Sequence, residues 1–118
     1  MNETVKKNLL NNWGERAESM ACFAECRYYD DQSDWSCYLL ALNPQDEDEI
    51  LCIVDGHGVE LIRWSLKEVC SKYNCVGEYV TFDKHYIRQR SAELFKKLNE
   101  RKPSWTQREY ELYEQQWD

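Results

Sequence analysis

Six cysteines, two histidines and a run of carboxylates are the residues of this 118-residue chain with chemistry to offer. Cys22 and Cys26 have three residues between them, and Cys70 and Cys75 have four, a spacing at which a short knuckle aims two sulfurs at one zinc ion. The stretch from Cys22 to Cys26 reads as strand, however, which would hold the two Cα atoms ~13 Å apart at about 3.3 Å per residue. A disulfide scaffold needs an oxidising compartment. Met1 to Lys7 lacks the apolar stretch and small-residue cleavage site of an export signal, so a cytoplasmic protein is expected. Reduced thiols that fill a core as small hydrophobes are the expectation, with no metal and no cofactor.

His57 and His85 are the only side chains that ordinarily titrate near neutral pH. Asp55-Gly56-His57-Gly58 sets an imidazole beside a carboxylate, the raw material of a small His- or metal-dependent hydrolase. Glycine at a strand end is ordinarily a hairpin device, and no nucleophile accompanies the turn, since Cys52 would point into the sheet. No catalytic residue is therefore assigned. Asp46-x-Asp48 has calcium-loop spacing but lacks that loop's glycine and its distal bidentate glutamate.

Charge is the stronger signal. The chain holds 15 Lys and Arg against 22 Asp and Glu, a net −7. Residues 21–60 contain Arg27 as their sole cation, while residues 61–118 are slightly basic. Asp30, Asp31 and Asp34 fall in one turn and Asp46, Glu47, Asp48 and Glu49 in another. Such turns can be merely solvated and protect sheet edges. Gathered at the ends of a sheet, they also repel nucleic acid and attract a basic protein surface. Lys84, Arg88, Arg90, Lys96, Lys97, Arg101 and Lys102 make the opposite case, a cationic helix that follows phosphates.

These groups must be held by elements that the pattern of apolar residues predicts. Val5, Leu9, Leu10, Trp13 and Ala17 form one stripe of a helix over 3–18, which Gly14 can cut short. From Ala21 the period becomes two, with Cys22, Ala24, Cys26 and Tyr28 on one face. Trp35 to Leu42 reads as a central strand, Ile50 to Val54 and Val59 to Trp64 as two more, joined by short turns that demand antiparallel neighbours. Ser65-Leu66-Lys67-Glu68 matches a capping box that opens a short helix. Val76 to Phe82 is a fifth strand. A helix from Asp83 carries Ile87, Leu94, Phe95 and Leu98 until Pro103, and a last helix bears Trp105, Tyr110, Leu112, Tyr113 and Trp117. The prediction is a single α+β domain over 1–118: an antiparallel four- to five-stranded meander at about 21–82 with helices on one face, and a helical part at about 83–117. No apolar run reaches the ~20 residues of a membrane span.

Trp35-Ser36-Cys37-Tyr38, Asn43-Pro44-Gln45-Asp46, Val54-Asp55-Gly56 and Val59-Glu60-Leu61 through Ser65-Leu66-Lys67-Glu68 resemble a domain-of-unknown-function family of small bacterial and mobile-element proteins. The likeness covers about residues 24–82. Ile62-Arg63 stands where that family usually has Gly-Tyr. The resemblance implies a small α+β accessory protein and says nothing of chemistry.

The functional expectation is an acidic, non-enzymatic binding or inhibitor protein, monomeric or homodimeric. Asp30, Asp31, Asp34, Asp46, Glu47, Asp48 and Glu49 would supply the charge and Trp35 or Trp64 an aromatic anchor. Its partner would be a basic protein, such as a nucleic-acid-handling or defence protein. The alternatives are a hydrolase at the Asp55–His57 turn and a nucleic-acid-binding regulator that uses the basic helix 84–102.

Overall fold

The first helix begins where Asn2 can cap it, its side-chain oxygen accepting from the Val5 N–H at 2.8 Å. In a computed structural model that describes residues 1–30, 32–72 and 79–101, α1 (Glu3–Asn12) is followed by α2 (Glu15–Glu18). The break between them falls at Gly14, whose φ of +112° an L side chain rarely adopts. Seven strands follow the change of period: β1 (Phe23–Ala24), β2 (Cys26–Asp30), β3 (Trp35–Asn43), β4 (Asp46–Asp55), β5 (Val59–Ser65), β6 (Thr81–Phe82) and β7 (Gln89–Arg90). Two further helices, α3 (Leu66–Cys70) and α4 (Ser91–Arg101), complete the described elements.

The α+β class and the antiparallel meander are as expected. The main sheet has the order β5-β4-β3-β2-β6, with every described pairing antiparallel. Strand β3 is central and buried from Trp35 to Leu42. Because its two faces are both apolar, both need a cover, and the helices divide between them instead of sharing one face. Leu9 of α1 and Val69 of α3 join one cluster with Cys26, Cys37, Leu39 and Cys52. Ala17 of α2 and Leu94 and Leu98 of α4 join the other with Tyr38, Leu40, Leu51 and Ile53.

Three irregularities depart from the simple alternation. At Glu25 the chain leaves β1, which pairs with β7, and enters β2, so Ala24 and Cys26 serve opposite clusters. At Leu40 the register slips by one: Leu39 faces Cys52 and Ala41 faces Leu51. The extra residue puts Leu40 and Ala41 into the same cluster, and the buried Asn12 donates its amide to the Leu40 carbonyl at 3.0 Å. A bulge thus frees a backbone acceptor, and the last residue of α1 satisfies it. The third slip lies between Leu42, opposite Ile50, and Asn43, opposite Asp46. It leaves Glu47, Asp48 and Glu49 without partners on β3.

Helix α4 begins eight residues later than the expected start at Asp83. Asp83 accepts from the His85 N–H at 3.0 Å in a turn, the Tyr86 hydroxyl donates to the Ala24 carbonyl at 2.8 Å, and Gln89 and Arg90 are taken by β1. Lys84, Arg88 and Arg90 therefore do not share a helix with Lys96 and Lys97. Ile87, expected in the apolar stripe, is 81% exposed. The fifth strand expected over 76–82 is, among the described residues, the two-residue β6; the expected contributions of Asp31, Tyr73, Cys75, residues 76–78, Lys102, the helix end at Pro103 and the last helix at 104–117 lie outside the described residues.

Candidate functional site

The four carboxylates of the β3–β4 end do not form a loose turn; they open strand β4. Asp46 accepts from the Asp48 N–H at 3.1 Å, and Asn43 accepts from the Gln45 N–H at 2.9 Å, so two side chains bind their own backbone and shape the bend. Glu47 is exposed and pairs with Lys6 of α1 at 3.2 Å. Asp48 turns inward across the sheet. Its carboxylate accepts from the Ser65 hydroxyl at 2.6 Å and from the Lys67 N–H at 2.9 Å. The capping box thus differs from expectation: Ser65 does accept from the Glu68 N–H, but Glu68 binds the Trp64 indole N–H, and Asp48 comes from another strand to cap the helix.

Those bonds, with the Ser65 hydroxyl foremost, hold the Asp48 carboxyl below its ordinary value of 3.8. A carboxylate of lowered pKa stabilises the folded chain above its unfolded pKa and loses that contribution as pH falls through the folded value. Asp48→Asn should therefore lower the urea midpoint at pH 5 and above. The gap to the wild type should close as pH drops to and below 3.8. A gap that stays constant over that range would show that the charge of Asp48 does not matter to α3.

At the opposite end of the meander the expected residues serve the fold more than the surface. Asp30 is buried and accepts from Gln32 N–H at 3.0 Å and from the Ser33 hydroxyl at 2.6 Å. Asp34 is exposed with a φ of +56°. Trp35 is buried: its ring meets Trp64 edge-on at 6.2 Å and Lys72 at 5.1 Å, and a Cβ on Gly56 would stand 3.2 Å from it. It is no free anchor. Trp64, partly buried, keeps one edge toward α3. Asp55 is buried and His57 exposed, at a turn closed by the Gly56 N–H on the Gly58 carbonyl at 3.0 Å.

Among the described residues no group of three or more His, Cys, Asp or Glu side chains converges where a metal ion would sit. Cys22, Cys26, Cys37 and Cys52 are buried free thiols, and Cys70 is an exposed one. Burial pushes the Cys26 thiol up to about 12; the neighbouring Cys52 thiol and burial push Cys37 well above 9.0. Protonated, buried thiols are poor nucleophiles and poor ligands, which fits a packing role.

Two features escaped the sequence. Open grooves lie on both sides of Glu47, one of about 430 Å³ lined by Glu3, Lys6 and Leu10, the other of about 520 Å³ lined by Asp46, Asp48, Leu66, Lys67 and Cys70. Just before β7, Arg88 reaches the buried Glu25 at 2.6 Å, and the Arg88 and Arg90 guanidiniums lie 4.1 and 5.3 Å from the centre of the Phe23 ring. Ser91, a residue type that favours helix starts, was the one available sign that the helix begins there.

Comparison with protein-family models, curated proteins and solved structures finds no match to this chain. No helix among the described residues is long and apolar enough to cross a membrane.

Proposed function

We propose that this protein is an acidic binding protein that docks a basic protein surface on its β3–β4 end, as an inhibitor of a nucleic-acid-handling or defence protein would. The observation that carries the reading is the acidic rim of the groove beside α3, where Asp46, Asp48 and Glu47, the last paired with Lys6, stand together. Among the described residues Lys67 is the only cation on that rim. The bonds that hold Asp48 come from a hydroxyl and an amide, so they fix its position without cancelling its charge. Carboxylates fixed before the encounter, as Asp46 and Asp48 are, lose little freedom on binding and raise the rate of association. Lysine and arginine side chains of a partner have apolar stems that suit Leu66 in the groove beside α3; the groove at Leu10 carries Lys6 and Lys7 and suits them less.

Asp46→Lys/Glu47→Lys/Glu49→Lys leaves Asp48, and so the cap of α3, in place. Against the partner recovered by crosslinking in the native cell, the triple variant should associate about tenfold or more slowly at low salt, with a flattened salt dependence. Equal association rates for wild type and variant across the salt series would refute the steering role.

A further inference from the structure

We infer that the basic surface this groove takes is carried by a second copy of the chain: Ile87 of one copy seats in the groove between the β3–β4 end and α3 of the other. Arg88 and Arg90 then meet its carboxylate rim. The inference rests on the proposed docking face and names its partner.

The donor segment is a held knob. Ile87 is 81% exposed, yet its neighbours on both sides are tied down. Tyr86 is bonded to Ala24, Arg88 to the buried Glu25, whose other oxygen takes the Asn8 amide at 3.3 Å, and Gln89 and Arg90 to β1. A segment fixed in this way presents its apolar side chain at small ordering cost. Arg90 has no carboxylate partner among the described residues, and Lys97 reaches only the Gln89 side-chain oxygen, at 3.4 Å. Of Arg88, Arg90 and Lys97, the three cations on or bonded to this segment, only one is balanced by Glu25.

The acceptor is its complement. The groove of about 520 Å³ has Leu66 and Cys70 as apolar wall and Asp46, Glu47 and Asp48 against Lys67 as charged rim. An isoleucine followed by arginines and a leucine beside carboxylates match in both polarity and sign. The net charge of −7 on each copy opposes association at long range, but that repulsion is screened beyond about 8 Å at physiological salt, where local pairing decides. Nucleic acid fits the arginines less well: both guanidiniums already lie against the Phe23 ring, the aromatic nearest them on which a base would stack.

The test is sedimentation of the purified chain, with Glu47→Lys, Arg90→Glu and Ile87→Asp as variants; all three side chains are exposed, and unchanged circular dichroism confirms the fold. The wild type should self-associate reversibly at about 100 µM in about 0.15 M salt, where the net repulsion is screened, and move toward monomer in about 1 M salt, where the local pairs are screened too. Each variant should weaken self-association about tenfold or more, and a mixture of Glu47→Lys with Arg90→Glu should restore it, since each supplies the charge the other has reversed. A wild type that stays monomeric in about 0.15 M salt, association indifferent to these variants, or a single-stranded oligonucleotide bound through Arg90 in place of a second copy would overturn the inference. A monomer that still captures a foreign basic protein through Asp46, Glu47 and Glu49 would leave the first reading standing and remove only this one.

Discussion

Leu40→Ala should lower the free energy of unfolding by about 2–5 kcal/mol, the range for truncating a fully buried leucine. Leu40 has 0% of its surface exposed and sits in the middle of the central strand, in a cluster with Tyr38, Ala41, Leu94 and Leu98. The neighbourhood has little freedom to close around the lost atoms. The backbone there is bulged, and its carbonyl is held by Asn12. Urea unfolding should show a lower midpoint with an unchanged slope. Ile62→Ala, a partly buried position on the edge strand, should cost less. If the two substitutions cost the same, Leu40 is not part of a closed core. The functional consequence runs through α1, which the bulge anchors and which carries Lys6 to Glu47.

Arg88→Met should cost about 2–3 kcal/mol, below the usual figure for breaking a buried pair because Arg88 itself is half exposed. The damage lies in what remains. The Glu25 side chain is 2% exposed, and without the guanidinium its carboxylate keeps only the Asn8 amide among the described donors. Glu25→Gln/Arg88→Met should recover part of the loss, since an amide is far less costly to bury than an unpaired charge. A double-mutant cycle measures the coupling. Additive losses would mean that the two side chains touch without depending on each other. This structural duty is why Arg90, and not Arg88, is the residue to reverse when self-association is measured.

The sequence places the clustered carboxylates in two turns; in the structure Asp30 ends β2 and Asp46 to Glu49 open β4. Nothing in the letters Asp46-Glu47-Asp48-Glu49 separates a turn that shapes itself from a side chain that caps a helix on another strand. Asp30 and Asp48 bond to Ser33 and Ser65, one three residues away and the other seventeen. Local spacing makes the first type of bond foreseeable; the second depends on how β4 and β5 pair.

Periodicity within single elements was legible for a physical reason: burial on one face imposes a repeat that neighbouring residues share. That is why the break at Gly14, the buried β3 and the antiparallel order of β2 to β5 could all be anticipated. The bulges at Leu40 and at Glu47–Glu49, the β1–β7 pair that delays α4 and the exposure of Ile87 were not. Each of these arises from contacts between segments far apart in the chain, where a one-residue change of register costs little locally and redirects every side chain beyond it.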